Sequence, residues 1–382
     1  MKTDFTYKIY TSSTAIPENW DTLANSNIFL SKAYLKVLEK SAPVNMICHY
    51  IGLYHQEELC GIALSQFLDL NKVESFGERD NCLKTSVRNF VFRNFSAHVL
   101  FIGNNMLTGQ NAFAINDKIN TADAIALLLA SVNDLKEIFR KRKTKIHLTV
   151  FKDFDQSAIS HFDIPEFASF YRFTTQPNMI FDIREEWKNE TDYVDSLLKK
   201  YRDQYKRARK KATGITKRKF TLEDIKTHSD IIHQLYHNVA RNAPFNTFFL
   251  AENHFYKLKK LLQDDFFFYG YFLDDKLIGF NTLIKNGTVI DTYFLGYDES
   301  CQRDKMLYLN MLYDMICYSI NQGYKKIIFA RTALEIKSSV GAKPLEMFGY
   351  IQHSNPFINR YISKLFRSLE PETVWQERNP FK

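Results

Sequence analysis

Three predicted strands in quick succession limit most strongly what this chain can fold into. They cover residues 266–273, 276–284 and 288–295, and their connections (DDK and KNG) suit the tight turns of an antiparallel meander. A helix over residues 305–321, apolar nearly all round, and a strand at 326–330 follow. Because such a helix buries most of its surface, the sequence predicts a mixed α/β sheet covered by a buried helix.

The first half of the chain repeats this order of elements in weaker form. A pattern of the form G-x-[Y/F]-x-x-x-[E/K]-L-x-G also occurs twice with identical spacing, from Gly52 to Gly61 and from Gly270 to Gly279. Hairpin patterns converge easily, but together with the repeated order this one indicates duplication. In the first half we predict strands at 5–10, 48–54, 58–67, 99–102 and 145–151 and a long helix at 122–141.

Length and composition agree with two folded halves. The chain has 382 residues, of which 45% are hydrophobic and 25% charged, and this length is large for a single core. We therefore predict two domains, residues 1–165 and 166–382. Glycines number only 13, and no G-x-S-x-G, P-loop or G-x-G-x-x-G pattern occurs. This argues against a serine hydrolase, a nucleoside triphosphatase and a dinucleotide-binding enzyme.

The cysteines predict reduced thiols rather than a disulfide framework or a zinc site. His233 and His237 have the i, i+4 spacing of metal ligands, but no third ligand is evident, so no metal is predicted. No apolar run approaches the ~20 residues of a membrane span, and the N-terminus does not resemble a signal peptide, so we expect a cytoplasmic protein. The five cysteines are scattered without C-x-x-C spacing, at residues 48, 60, 82, 301 and 317.

The net charge of +8 is concentrated in one segment. Residues 199–219 contain eleven Lys or Arg against Asp203 alone, which gives +10 there and leaves 8 − 10 = −2 for the rest. Apolar residues at helical spacing from Val194 to Ala212 predict one continuous amphipathic helix. We predict that this helix binds an anionic substrate, a membrane surface or transfer RNA, the alternative being an ordinary solvated face. The residues predicted to make this contact are Arg202, Lys206 and Arg209.

The sequence from Tyr293 to Pro344 resembles the GNAT-like domain of Fem-type tandem acyltransferases of bacteria. The resemblance rests on a glycine-bearing strand, a helix, a G-x-x-x-[I/L] strand and a lysine before a small-residue turn, in YFLGYDESCQRDKMLYLNMLYDMICYSINQGYKKIIFARTALEIKSSVGAKP. It extends over about Glu166 to Lys382, with the first half as a diverged copy. The resemblance implies a tandem GNAT-like acyl-CoA N-acyltransferase fold of the α/β class.

A transferase of this kind needs a base, donors for the developing oxyanion and a groove for the acyl donor. The resemblance implies that the donor's thioester or ester lies where strands 288–295 and 326–330 splay apart. Asp291 and Tyr293 alternate with mostly apolar neighbours and so share one face of the first strand. We predict Asp291 as the general base and Tyr293 as a proton donor. The alternative is that Asp291 faces solvent or pairs with a lysine.

The segment after residue 330 supplies further candidates. Thr332 and Glu335 have the T-x-x-E spacing of a helix capping box, and Gly341 is placed to end the short helix. Arg331 and Lys337 have no such structural explanation. We predict that both, with Glu335, contribute to substrate binding at the mouth of the cleft, where the cations would hold a phosphate or carboxylate. Surface ion pairs are the alternative.

Two segments are candidates for binding the donor's pyrophosphate. In the first half, Gly103, Asn104, Asn105 and Gly109 directly follow a strand, where a GNAT half has its pyrophosphate loop, although a plain turn fits equally well. In the second half, Gly296 is the candidate. Ordinary GNAT acetyltransferases have [Q/R]-x-x-G-x-[G/A] here, whereas this chain has the acidic, glycine-poor GYDESCQR.

The resemblance therefore predicts an enzyme, an N-acyltransferase that moves an acyl group from an acyl-CoA thioester to an amine. Acyl-CoA would be a co-substrate, and no permanently bound cofactor is expected. Three alternatives stay open. The first is an aminoacyl-tRNA-dependent Fem-type transferase of cell-wall peptide synthesis. The second is a lipid-amine acyltransferase peripheral to the inner membrane, and the third is a non-catalytic binding module of GNAT fold.

Overall fold

The computed structural model describes residues 4–24, 27–72, 96–242, 246–369 and 375–382. Its strands are β1 (Phe5–Tyr10), β2 (Met46–His55), β3 (Glu58–Asp69), β4 (His98–Ile102), β5 (Phe113–Ile115), β6 (Leu148–Phe154), β7 (Tyr171–Asp182), β8 (Ile215–Lys219), β9 (Phe266–Leu273), β10 (Lys276–Asn286), β11 (Val289–Tyr297), β12 (Lys326–Ala330) and β13 (Lys343–His353). Its α-helices are α1 (Trp20–Ala24), α2 (Lys32–Ser41), α3 (Thr121–Lys141), α4 (Glu190–Ser196), α5 (Lys199–Lys211), α6 (Leu222–Thr227), α7 (Ser229–Ala240), α8 (His254–Leu262), α9 (Glu299–Lys305), α10 (Leu307–Asn321), α11 (Leu334–Ser339), α12 (Pro356–Asn359) and α13 (Ile362–Leu369).

The chain divides into two compact units. Unit 1 holds the described residues up to Thr175, those within Pro244–Ala251 and those within Glu346–Glu372. Unit 2 holds the described residues of Gln176–Ala243, Glu252–Leu345 and Thr373–Lys382. The predicted contiguous division at residue 165 differs from this, because the C-terminal part of β13 pairs with β6 and so belongs to unit 1.

The sheet of unit 1 follows the order β1-β2-β3-β4-β6-β13, with β5 paired to β3. Neighbouring strands are antiparallel except β4 and β6, which run parallel from Val99↔Leu148 to Ile102↔Phe151. The long helix α3 begins at the side-chain cap Asn120 and buries one apolar face in the core of this unit. Buried residues of this face include Ile125, Leu128, Val132 and Leu135.

The sheet of unit 2 follows the order β8-β9-β10-β11-β12-β7, again antiparallel except for one parallel pair, β11 and β12. Different helices cover its two faces. Phe255 of α8 packs against Phe268 and Phe280, whereas Tyr318 of α10 packs against Phe267, a residue of the opposite face. The predicted burial of the helix at 307–321 is confirmed by its many buried side chains.

The recurring sequence pattern corresponds to a recurring hairpin. Gly52 pairs with Ile62 in the β2–β3 hairpin, and Gly270 pairs with Phe280 in the β9–β10 hairpin. Both hairpins have a register shift at the same place in the pattern, between the leucine and the second glycine. Both turns hold two non-glycine residues at positive φ, at Gln56-Glu57 and Asp274-Asp275, as a two-residue hairpin turn requires.

Two predicted helices differ in extent from those of the structure. The amphipathic stretch from Val194 to Ala212 forms α4 and α5, because Leu197 bridges to Phe381 and the Leu198 N–H donates to the carbonyl of Pro380. The helix predicted near 305–321 is preceded by a separate α9, which ends at a left-handed Met306. Residues 222–240 form two helices, α6 and α7, which meet at His228.

Two searches for other classes of site find nothing in the part of the chain that the structure describes. None of the helices there combines the length and apolar character needed to cross a bilayer. No group of three or more His, Cys, Asp or Glu residues is placed to hold a metal ion within those ranges. The His233 and His237 rings lie 4.3 Å apart. The described cysteines are free thiols, and Cys82 lies outside the described residues.

Candidate active site

In unit 2, the parallel strands β11 and β12 separate before either strand ends. Their ladder stops at Asp291↔Ile328, whereas β11 continues to Tyr297 and β12 to Ala330. Along this stretch β11 stays paired with β10, so the opening lies on the side of β11 that faces β12. The predicted divergence of these two strands is confirmed, and it begins at the predicted base.

Asp291 is a buried carboxylate at the inner end of this opening. It shares a face of the sheet with its partners Ile284 and Ile328 and is only 6% exposed. Burial raises the pKa of Asp291 to about 7, although a hydrogen bond from the Asn286 side chain acts in the opposite direction. Its Oδ2 atom has no hydrogen-bond partner among the described residues. Asp291 therefore neither faces solvent nor forms an ion pair there.

A histidine that sequence reasoning missed binds the predicted proton donor. Nε2 of His254, at the start of α8, lies 3.0 Å from the Tyr293 hydroxyl, and the two rings stack with centroids 5.8 Å apart. His254 is fully buried. Tyr293 and Phe294 both lie opposite Thr282 at an irregularity in the β10–β11 ladder. Alternation along β11 places Tyr293 on the face that carries Asp291, and α8 packs on this face through Phe255 and Phe280. The bulge adds Phe294 to the same side.

The loop from β12 to α11 is bent by left-handed residues and held by a buried lysine. Ala330, Thr332 and Ala333 all have positive φ, and the Ala333 position at the start of α11 has no side-chain cap. The predicted capping box of Thr332 and Glu335 is therefore wrong: a left-handed backbone at Thr332 and Ala333 does not have the extended geometry that such a cap needs.

Lys337 is the residue that holds this loop. Its Nζ donates to the carbonyls of Phe329, Ala330 and Arg331, at 2.5, 3.2 and 2.6 Å. Burial lowers the pKa of Lys337 to about 7, which brings its neutral form within physiological range. The lysine predicted to bind substrate at the cleft mouth thus already donates to three backbone acceptors. Its binding role stays a prediction.

Arg331 and Glu335 have different surroundings. Burial lowers the pKa of Arg331 to about 10, and its Nε donates to the carbonyl of Gln176 at 3.2 Å. Glu335 is exposed and accepts hydrogen bonds from Arg378. Of the two, the structure places Arg331 at the end of β12, beside the opening, whereas Glu335 stabilises the C-terminal segment.

The predicted basic residues of α5 do not act as one group. Arg209 binds Glu190 at 2.7 Å and Asp314 at 2.6 Å, and these carboxylates raise its pKa. Arg202 is half-buried, and Lys206 is exposed. Arg209 therefore ties α5 to α4 and α10, while Lys206 remains accessible to an anionic partner.

The helix after β11 carries a carboxylate at its N-terminus. Asp298 caps α9 by accepting from the Ser300 N–H at 3.0 Å. The hydrogen bond from the Ser300 hydroxyl lowers the pKa of Asp298, and the bonds from Lys276 and the Ser300 N–H add to this. Gly296 permits close packing: a Cβ there would stand 2.5 Å from the carbonyl carbon of Leu235 in α7. The predicted donor-binding glycine lies against a helix backbone, and the adjacent helix terminus holds an acid where a pyrophosphate would need the free N–H groups.

In unit 1, the predicted pyrophosphate loop is held by internal hydrogen bonds. The backbone N–H of Asn105 donates to Gln66 at 2.7 Å, and the Asn104 side chain donates to the Tyr34 hydroxyl at 3.1 Å. Lys152 donates to the carbonyls of Asn104 and Leu107 and to Asp153. Gly103 and Gly109 adopt the positive φ expected of this loop. Donor binding by these four residues stays a prediction, and the side chains of Asn104 and Asn105 already have protein partners.

Each unit combines an antiparallel meander with one parallel pair and a buried crossover helix, and this arrangement is the tandem GNAT fold of Fem-like proteins. Comparison with solved structures agrees. The structure of FemX superposes with a TM-score of 0.54 at 12% identity, over 94% of this chain and 99% of that chain. A tandem GNAT protein from the clavulanic acid biosynthesis pathway gives a TM-score of 0.51 at 8% identity, over 92% and 99%.

These likenesses are of fold alone, because the sequence identities are low. No protein-family profile matches the sequence. The search of curated proteins finds no match either.

Proposed function

We propose that unit 2 is a transferase that moves an acyl group onto an amine. The observation that carries this proposal is the buried Asp291 carboxylate at the point where β11 and β12 separate. The fold shared with FemX and a tandem GNAT protein supports the general class. A polar acid at the closed end of a gap between strands is the arrangement that proton abstraction from a bound amine requires.

The residues of the site supply the steps of the reaction. The amine nitrogen attacks the donor's carbonyl carbon in the gap, and β11 backbone N–H groups beyond Asp291 stabilise the oxyanion. Asp291 takes the proton that the attacking nitrogen loses, for which its pKa of about 7 is suitable. The bond between carbonyl carbon and leaving group then breaks. Tyr293, held by His254, gives its proton to the leaving thiolate or alkoxide.

The default acyl donor is an acyl-CoA thioester. A second donor class, an aminoacyl ester of transfer RNA, is favoured by a specific feature of unit 2. Asp298 and Glu299 stand at the N-terminus of α9 and would repel a pyrophosphate there, whereas an aminoacyl ester needs no pyrophosphate at this helix. The exposed lysines of α5, including Lys206, suit a polyanionic donor.

A transfer assay with the full chain tests the proposal. Acetyl-CoA, longer acyl-CoAs and aminoacyl-tRNA are each incubated with a panel of amines, and release of free thiol or loss of the ester is followed. We expect one donor class to be consumed only when an amine is present and Asp291→Asn to reduce the rate by roughly 10²–10⁴-fold. Asp275→Asn, in the exposed β9–β10 turn, is the matched control. Consumption of no donor, or full activity of Asp291→Asn, would refute the proposal.

A further inference from the structure

Two buried oxygen atoms on one face of the unit 2 sheet have no hydrogen-bond partner among the residues that the structure describes. One is Oδ2 of Asp291, and the other is Oδ1 of Asn178 in β7. Asn178 is 3% exposed and Asp291 6%. Asn178 is not among the predicted site residues and lies before the start of the second meander.

Strand register places both oxygens on the same side of the sheet. Asp291 pairs with Ile328, and Ile328 pairs with Ile180. Asn178 lies two residues from Ile180 and so points to the same face. Two strand spacings separate the two backbones by ~10 Å. Because β7 is antiparallel to β12, Asn178 lies towards the end where β11 and β12 diverge.

The surface between the two oxygens is apolar and accessible. Ile328 and Ile180, which lie between them, are both only partly buried. A buried carbonyl or carboxylate oxygen without a hydrogen-bond partner carries a desolvation penalty, and native proteins keep few such atoms. Two such atoms on either side of an accessible apolar strip, at the opening of a sheet, indicate a ligand that carries two hydrogen-bond donors.

We propose that the acceptor is an amine that also carries a second hydrogen-bond donor, an amide N–H or a hydroxyl, several bonds away. The amine lies at Asp291 Oδ2, and the second donor binds Asn178 Oδ1, with the connecting chain over Ile328 and Ile180. Asn178 is then a specificity-determining residue. This inference rests on the proposed function and narrows the acceptor from any amine to a bifunctional one.

The test uses small probes and needs no acyl donor. Hexylamine, 6-aminohexanamide and the uncharged 6-hydroxyhexanamide are titrated against the full chain, and affinities are obtained from saturable shifts in melting temperature. Aminoamides with a chain two methylenes shorter or longer accompany them, because the separation of the two oxygens sets the best length. We expect the best aminoamide to bind roughly 5- to 100-fold more tightly than the matched alkylamine.

Asn178→Leu should abolish this preference while leaving alkylamine affinity within about twofold. Asn281→Leu is the matched control. Asn281 is also a buried asparagine whose side-chain atoms have no hydrogen-bond partner in the described part of the chain, but it lies on the opposite face of the same sheet. It should keep the preference. Asn178→Ala replaces Asn178→Leu if the latter does not fold.

The outcomes separate this inference from the proposed function. The inference is overturned if no probe gives a saturable shift, if no aminoamide is preferred to its alkylamine, or if Asn178→Leu keeps the preference, as it would if Oδ1 held only a water molecule. A preference that depends on Asn178, without transfer from any donor, would support the two-donor site and refute the transferase. Transfer with equal kcat/KM for mono- and bifunctional amines would support the transferase and overturn the inference.

Discussion

The two units have the same hairpin but different chemistry at the end of the parallel pair. The recurring hairpin pattern aligns Gln66 of β3 with Ile284 of β10. Gln66 pairs with Phe101, whereas Ile284 pairs with Asp291. Unit 1 therefore has a phenylalanine at the position of the buried acid of unit 2.

The second unmatched oxygen of unit 2 also has no counterpart in unit 1. In unit 1, Phe101 pairs with Val150, which pairs with Ile351 of β13. In unit 2, Asp291 pairs with Ile328, which pairs with Ile180 of β7, so Ile351 corresponds to Ile180. Two residues earlier, Gly349 takes the place of Asn178. Its hydrogen points at the Phe173 ring, where a Cβ would come within 2.5 Å. Both polar residues proposed to hold the acceptor are thus specific to unit 2.

The two units share backbone features but not the polar side chains of the site. Both units keep the turn conformations, the bulge and the parallel ladder, which specify the fold. They differ in the polar side chains at the end of that ladder. In unit 1, Lys152 stands at the position of Ala330 and donates to its neighbouring loop. This difference favours unit 2 as the location of the proposed chemistry. In unit 1 the corresponding strand end is held to its neighbouring loop by the hydrogen bonds of Lys152.

The largest effect should come from Asp291→Asn, which removes the charge that distinguishes unit 2. We expect kcat/KM for acyl transfer to fall by roughly 10²–10⁴-fold because the amine loses its proton acceptor. In the wild type the rate should decrease as the pH falls below about 7, since a protonated Asp291 accepts no proton. Initial rates from pH 5 to pH 9 check both expectations. A flat wild-type profile across this range would separate Asp291 from the chemistry.

The same substitution should stabilise the folded chain at high pH. The folded pKa of Asp291 is about 7 and the unfolded value ~3.9, so between them the folded state binds more protons and stability falls as the pH rises. Removing the charge should raise the free energy of unfolding by on the order of 4 kcal/mol at pH 8 and by much less at pH 4. Urea unfolding at both pH values measures this. An equal change at both would show that the carboxylate is not desolvated.

The features that local sequence patterns encode could be predicted from the sequence. The meander, the repeated hairpin and the shared face of Asp291 and Tyr293 follow from turn residues and from the alternation of side chains along a strand. It placed one helix across Leu197 and Leu198 because the apolar spacing continues there. The break arises from pairing with Phe381 and with the Pro380 carbonyl, a contact distant in sequence that no local pattern contains.

The missed parts of the site have the same origin. His254 meets Tyr293 only because α8 packs on this face of the sheet, and the contact joins residues 39 positions apart that no local pattern connects. Asn178 joins the face of Asp291 only through the register of three strands. Lys337 is predicted at the mouth of the cleft because lysine is rarely buried, yet left-handed residues after β12 present three carbonyls to it inside the protein.

The next largest effect is the loss of stability expected when the buried lysine that holds a loop in each unit is replaced by methionine. Lys152→Met should cost roughly 3–5 kcal/mol because it leaves the buried Asp153 without its cation. Lys337→Met should cost roughly 1–3 kcal/mol, since the acceptors it leaves are neutral carbonyls. Urea denaturation at pH 7 measures both. A larger loss for Lys337→Met would reverse the predicted order and indicate that the loop after β12 is the more critical of the two.

A smaller effect, on kcat, is expected when Tyr293, the predicted proton donor of unit 2, is replaced. Tyr293→Phe keeps the ring packed on His254 but removes the hydroxyl, so the leaving group loses its proton donor. We expect kcat to fall by roughly 10- to 100-fold with poor leaving groups and by less with good ones. Steady-state rates with alkyl and aryl thioesters of the same acyl group measure this. Equal losses with both would assign Tyr293 to positioning only. Tyr297→Phe, on the same strand, is the control.

The smallest effect is expected from removing positive charge on α5, and this change distinguishes acyl-CoA from aminoacyl-tRNA as the donor. Lys206 and Lys210 are exposed on α5, so replacing both with alanine removes positive charge without breaking the ion pairs of Arg209. Turnover of an acyl-CoA should change by less than about twofold, because a small donor meets few surface charges at physiological salt. With aminoacyl-tRNA, affinity should fall and the slope of log affinity against log salt should decrease by about 1–2, one unit for each lost phosphate contact. Arg209→Ala is not equivalent, since it would release two carboxylates and loosen α5 itself. An unchanged salt slope in the double variant would remove the basic helix from donor binding and leave acyl-CoA as the donor.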